Sequence, residues 1–435
     1  MRDEEGFFQR AKEAQKIAFS LKDPLLVHHY DADGISSGAI VKMAFLERGR
    51  NIRTKCVKKL DDYEIEKLLA EKEREIIFSD LGGGNTKVNE LEDVVIIDHH
   101  QTTKIEKMQI NPLDFGLEGG EEISAAGVAS VTFDLGLDLA IVGAFGDIQT
   151  PLKGLNLKLA KKASEMGVLK IERDIKFYGR YSRSLTSFLA YSDDPVIPNI
   201  AYSEEKARDF LLENGISPFR EDDKSPRTYS QLKKEEKEKL ISKIKTLVSE
   251  EIIGECYVFP KRAMDESHEA NTFSTLLNAC GRHDKAEVGL ELCLGSQKAC
   301  IEARELLIAH KKMLRDGIVF ASKSIVNFDN FYFLDARGVI EEGVVGIVCG
   351  MVMRQNWTKP IIGISNAENN MIKISSRSPR KLVENGLNLG FVLRKVCAQI
   401  GGIGGGHKIA AGASIPKDKI NEFLIGFSNE VKKDN

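Results

Sequence analysis

At 435 residues the chain exceeds the roughly 250–300 residues that one hydrophobic core usually serves, so two or three domains are expected. Hydrophobic residues make up 42% and charged residues 29%, an ordinary globular composition, and no apolar run approaches the ~20 residues that span a bilayer. A net charge of −3 excludes the strongly basic balance of a protein that coats duplex DNA, yet leaves room for a basic groove beside an acidic active site.

The first twenty residues mix acids and bases and lack the apolar stretch of a secretory signal. The short β-branched runs LLV (25–27), IIF (76–78) and VVII (94–97) are expected to be buried parallel strands. Between the first two, Ile40, Met43, Ala44 and Leu46 have helical spacing, with Ser36 and Ser37 as the expected cap. Residues 151–275 are more helical and more charged. Leu232, Leu240, Ile244 and Leu247 form a helical stripe, and Pro195, Pro198, Pro218 and Pro226 punctuate the loops around it, so an insertion with its own small fold is expected at about residues 190–265. Leu307, Leu314, Ile318 and Ala321 predict a long helix over 297–324 that links two domains. Beyond it, residues 329–338, 344–353 and 360–366 read as strand-like and glycine-containing pieces, and the chain closes on GGIGGGHKIAAGASIP (401–416). The seven cysteines, 56, 256, 280, 293, 300, 349 and 397, form no C-x-x-C pair and read as reduced thiols of a cytoplasmic protein, not as a zinc site.

Four clusters in the first 150 residues carry chemistry: HHYDADG (28–34), SDLGGG (79–84), IDHH (97–100) and GD (146–147). Each alone is weak, since an Asp-x-Asp loop is most often a turn. Together they place Asp31, Asp33, Asp80, Asp98, His99, His100 and Asp147 after apolar segments, and ligands in open α/β sheets bind beyond the carboxyl ends of strands. Carboxylates packed there repel one another unless a divalent cation intervenes. Mixed carboxylate and imidazole donors without thiolates favour manganese, with magnesium as the alternative, and two such ions suit phosphoryl chemistry. Near the other end, Gly404, Gly405, Gly406 and His407 offer a close backbone approach to a phosphate ahead of an expected helix start, and Arg377 among serines suits bidentate phosphate contact.

These motifs, in this order, resemble those of the DHH phosphoesterase superfamily, and the G-G-G-H-x-x-A-x-G ending resembles its associated C-terminal domain. NACGR (278–282), a long helix and GVVGIV (343–348) are similar to RecJ exonucleases, so the whole looks most like an archaeal RecJ-like nuclease. The resemblance implies an α/β fold: a parallel-sheet catalytic domain over 1–295 with a mostly helical insertion, a connecting helix over 296–328 and a smaller α/β substrate-binding domain over 329–435. It implies two Mn2+ ions held by His29, Asp31, Asp33, Asp80, His99 and Asp147, with Asp80 bridging. It places His100 on the substrate phosphate or second metal, Asp98 behind its neighbours, and Arg377, His407, the 404–406 glycines, Asn278 and Arg282 along the substrate. Relatives that act only as scaffolds have lost metal ligands, whereas every such position here holds Asp or His.

The expected function is metal-dependent hydrolysis of phosphodiester bonds in single-stranded DNA or RNA, in replication, repair or nucleic-acid turnover. The alternatives are a phosphodiesterase for short oligonucleotides or cyclic dinucleotides, and a replication or repair scaffold whose insertion binds a partner protein. No membrane association is expected.

Overall fold

The computed structural model describes residues 2–192, 194–353, 358–367 and 370–433. It divides into two compact units, Met1–Leu307 and Ile308–Asn435.

The first unit opens with α1 (Glu4–Ser20), β1 (Leu25–His29), α2 (Ala32–Leu46), β2 (Arg53–Val57), α3 (Asp62–Ala70), β3 (Glu75–Ser79), β4 (Asp93–Ile97) and β5 (Met108–Ile110). The strands form one sheet in the order β2-β1-β3-β4-β5, parallel throughout. One face packs on α1, α2 and the helices that follow, through Leu26, Ile77, Val95 and Ile97; the other buries Val27, Ile76, Phe78 and Ile96 against α3. Burial on both faces explains why these strands are continuous apolar runs. Helix α2 starts at Ala32, four residues before the expected cap. Asp31 is its N-cap, accepting from the Gly34 N–H, while Ser36 and Ser37 are buried inside the helix. An aspartate accepts from that orphan N–H better than a serine already inside the helix.

The unit continues with α4 (Ala125–Phe133), α5 (Leu137–Gly146), α6 (Gly154–Glu165), β6 (Lys170–Ile175), α7 (Leu185–Ala190), α8 (Glu204–Glu213), α9 (Lys234–Lys245), β7 (Ile253–Val258), α10 (Ala270–Arg282) and α11 (Ala286–Cys293). Strands β6 and β7 pair antiparallel and lead into and out of a separate core that runs from Ile175 to Ile252 and includes stacked Phe188 and Tyr229. Leu232, Leu240, Ile244 and Leu247 pack in or against this core, but only Leu240 and Ile244 lie on α9, the other two falling just beyond its ends. At its root the buried Arg180 guanidinium pairs with Glu269 at 2.6 Å and Asp174 at 3.1 Å. Helix α12 (Gln297–Ser324) follows, and the division between the units falls inside it.

The second unit contains β8 (Val326–Asn327), β9 (Tyr332–Asp335), α13 (Glu342–Met353), β10 (Ile361–Asn366), β11 (Met371–Arg377), α14 (Arg380–Glu384), α15 (Leu389–Gln399), β12 (Ile403–Gly406), β13 (Ala410–Pro416) and α16 (Ile420–Lys433). Its mixed sheet has the order β12-β13-β11-β10-β9-β8. Residues 344–353, expected to be strand-like, are helical. Val344, Val345, Val348, Cys349 and Val352 recur at helical spacing and bury one face, so periodicity overrides the β-branched composition. The glycine run also differs from expectation: it forms β12 of a hairpin with β13, and among the described residues the next α-helix begins at Ile420. Its glycines serve close packing, because a Cβ at Gly404 would crowd the Leu393 carbonyl at 2.7 Å.

All seven cysteines are free thiols, with Cys56 exposed and Cys300 half-buried. Among the described residues no helix is long and apolar enough to cross a membrane.

Candidate metal centre

Strands β1, β3 and β4 are neighbours and end at the same edge of the sheet, so the residues just beyond them meet. The central one, Asp80, adopts a left-handed backbone (φ 64°) and donates its N–H to the Ile97 carbonyl at 2.9 Å. Asp31 and Asp33 enter on the first turn of α2, Asp98, His99 and His100 follow β4, and Asp147 ends α5.

Three sets of donor atoms result: His29, Asp31 and Asp80; Asp80, His99 and His100; and Asp33, His99 and Asp147, the atoms within each set lying within 4.8 Å of one another. His29 Nδ1 is 3.0 Å from Asp31 and 3.1 Å from Asp80. His99 Nε2 faces Asp147 at 3.2 Å, Asp80 at 3.3 Å and Asp33 at 3.7 Å. Asp80 and His99 each belong to two sets, and His29, Asp31, Asp33, Asp80, His99 and Asp147 are all brought together. His100 joins Asp80 and His99, and its side chain is 55% exposed where that of Asp80 is 1% exposed. Asp98 lies behind. It accepts from His100 Nδ1 at 2.9 Å and from the backbone N–H groups of His99 (2.8 Å) and Gly83 (3.0 Å), tying the β3 and β4 loops together.

The electrostatics are those of carboxylates and imidazoles crowded together away from water. Burial and then repulsion from Asp33 push Asp147 well above the usual carboxylate range. Burial, followed by the Asp80 charge, pushes Asp33 up to about 7, although Asp33 accepts the Ala125 and Ala126 N–H groups at the start of α4. Burial disfavours protonated His99, but Asp80, Asp147 and Asp33 outweigh it and hold the imidazolium well above its ordinary value. His99 Nδ1 lies 2.7 Å from the Gly119 carbonyl, which fixes Nδ1–H as donor and turns Nε2 toward three carboxylates. His99 Nε2 and Asp80 Oδ1 are buried without a hydrogen-bond partner. Orphaned donor atoms of metal-binding type, converging from three loops, fit divalent cations. His28 stands apart: burial pulls it down to about 4 and keeps it neutral, facing the His29 carbonyl.

Sequence reasoning missed the supporting residues. The Gly119 carbonyl also accepts from Gln149 Nε2 at 2.9 Å, and Asn111 Nδ2 donates to the His100 carbonyl at 2.9 Å. Gly143 of α5 faces Asp33, where any Cβ would overlap its carboxylate. Gly143→Ala is therefore expected to lower Tm and to weaken Mn2+ binding about tenfold, measured by thermal shift with and without Mn2+. No local pattern marks these positions, since each acts across a long sequence separation.

Asn278 and Arg282 lie on α10 beside the β1 loop. Asn278 Oδ1 accepts from the Ala32 N–H at 3.0 Å, and burial lowers the Arg282 guanidinium while Tyr30 and Asp31 act against that shift. In the second unit Arg377 ends β11 opposite Ala410, with Gly346 of α13 against its guanidinium, and His407 is exposed at the turn between β12 and β13.

A parallel sheet bearing a carboxylate–imidazole cluster at its strand ends, followed by a second α/β unit, defines an α/β protein of phosphoesterase class. Residues 25–142 match the DHH family N-terminal domain, residues 177–255 the DHH-CID domain and residues 330–433 the DHHA1 domain. The chain is 32% identical to the uncharacterized protein MJ0831 of Methanocaldococcus jannaschii, with 96% of each chain covered. In fold it is similar to RecJ from Thermus thermophilus, crystallised with Mn2+, with TM-score 0.61, 16% identity, 99% of this chain covered and 55% of that one, so it spans about half of that protein. It is similar also to CDC45 from Entamoeba histolytica, with TM-score 0.62, 14% identity and 98% of both chains covered. The chain belongs to the DHH phosphoesterase superfamily and is RecJ-like in fold.

Proposed function

We propose that this protein is a metal-dependent exonuclease that hydrolyses phosphodiester bonds of single-stranded DNA or RNA. The observation that carries the reading is the three donor sets linked through Asp80 and His99 at one sheet edge. His29, Asp31 and Asp80 would hold one Mn2+, and Asp33, His99 and Asp147 the other, with Asp80 between them and Mg2+ as the alternative ion. Bound there, two divalent ions would supply an activated water and stabilise the charge that develops on the phosphoryl oxygens. The exposed His100, oriented by Asp98, is assigned to the scissile phosphate. Arg282, and in the second unit Arg377, His407 and the Gly404–Gly406 backbone, are assigned to substrate phosphates. Similarity to RecJ, crystallised with Mn2+, supports the choice of ion.

The test is digestion of end-labelled single strands with Mn2+. Stepwise shortening, faster on long strands than on dinucleotides, is the expected result. A rate that peaks on dinucleotides would transfer the assignment to short oligonucleotides.

A second reading, a docking role in a replication or repair complex, is favoured by the separate core of residues 175–252. It is compatible with catalysis. Deleting residues 185–247 while keeping Arg180, whose guanidinium pairs with Glu269, should then abolish partner capture while Mn2+ binding persists.

A further inference from the structure

The geometry points to Asn278 as a positioning residue for the metal loop, acting as a long-range cap of helix α2 and not as a substrate contact. The inference rests on the metal-centre reading above.

The first turn of any helix leaves N–H groups without intrahelical partners. In α2 two of these are satisfied from different sources. Asp31 Oδ1 accepts from Gly34 N–H at 3.0 Å. The Ala32 N–H, which Asp31 does not take, goes to Asn278 Oδ1 at 3.0 Å, from 246 residues away. This division leaves Asp31 Oδ2 turned toward His29 Nδ1, at 3.0 Å, in the donor set with Asp80. Without Asn278, the Ala32 N–H would compete for the Asp31 carboxylate and draw it back toward the helix.

The rest of α10 is built to hold Asn278 there. Gly281, one turn further along, lies so close to the Tyr30 carbonyl that a Cβ would overlap it, so the backbone of α10 rests directly on the residue between His29 and Asp31. Upstream, Glu269 immediately precedes α10, and its carboxylate is held by buried Arg180 at 2.6 Å. Helix α10 is thus fixed at both ends and presents one amide to the loop that carries three candidate ligands.

The residue type follows from the charge. Asp31, Asp33, Asp80, Asp98 and Asp147 already crowd this edge, and an amide oxygen accepts the bond without adding another negative charge. The same logic supplies a discriminating pair of variants. Asn278→Ala removes the acceptor. Asn278→Asp keeps an acceptor at that place but would repel a nucleic-acid phosphate.

The experiment is Mn2+ titration of the full chain without substrate, followed by electron paramagnetic resonance of the free ion. Wild type should bind Mn2+, Asn278→Ala should bind about 10–100-fold more weakly, and Asn278→Asp should restore affinity to within about threefold of wild type. Gly281→Ala, which shifts α10 without touching the amide, should weaken binding in the same direction as Asn278→Ala. Metal-free melting temperatures report on folding independently. If Asn278→Ala binds Mn2+ as wild type does and both variants lose only substrate affinity, the positioning role is overturned and Asn278 is a substrate contact. If wild type itself binds no Mn2+, the metal-centre reading fails and this inference fails with it.

Discussion

Asp80→Asn is expected to lower the rate of phosphodiester hydrolysis about 10³-fold, close to 4 kcal/mol of transition-state stabilisation. The magnitude reflects the central place of Asp80: it belongs to the set with His29 and Asp31, and its Oδ1 faces His99 of the set with Asp33 and Asp147 at 3.3 Å, so its loss would loosen both. Asparagine is the informative substitution. Asp80 sits at φ 64°, a conformation asparagine adopts readily and alanine does not, so Asp80→Ala would mix backbone strain with loss of a ligand. The amide also retains the buried volume between His29 and His99, both within 3.3 Å of Asp80. Single-turnover hydrolysis of a labelled strand, with circular dichroism of both proteins, is the measurement. A folded Asp80→Asn protein that degrades the strand at the wild-type rate would remove the metal centre from the mechanism.

The convergence of the candidate ligands was legible in the sequence because they follow strands whose apolar runs are unmistakable. Parallel pairing places β1, β3 and β4 side by side, so Asp31, Asp80 and His99 must converge wherever the pattern holds. What was not legible depends on contacts between distant segments. The Asn278 bond to Ala32 and the seat of Gly143 against Asp33 leave no periodicity and no motif. The true start of α2 was hidden for a local reason: Asp31 caps the helix while also facing the donor set, and two roles for one side chain are invisible to a rule that assigns one. The 344–353 segment misled by composition, because valines suit strands and these valines instead lie at helical spacing over a buried face. The glycine run before His407 illustrates how one residue type supports two readings: it suits phosphate approach, and in the fold it allows β12 to sit tightly on α15.

Mn2+ should raise the melting temperature more at about pH 8 than at about pH 5.5, and the difference identifies which carboxylates bind it. In the metal-free protein Asp33 is pushed up to about 7, and Asp147 also lies well above its ordinary range, both chiefly by burial. For an acid whose folded pKa is raised, the stability contribution is fully present below the unfolded value near 4 and is lost as pH rises through the folded value. The metal-free fold therefore weakens as pH climbs toward and past 7, when buried carboxylates ionise against one another. A divalent ion reverses that penalty, but below pH 7 it must first displace the protons on Asp33 and Asp147 and the proton that stands in for it on His99. Binding should release protons, measurable by calorimetry in buffers of different ionisation enthalpy, and apparent affinity should rise with pH through about 7, where Asp33 ionises. Exposed carboxylates titrate near 4 and would give an Mn2+ effect already flat across this range. A thermal shift independent of pH would thus place the ion on the surface, whereas one that grows through pH 7 requires the buried pair at the end of α5 and the start of α2.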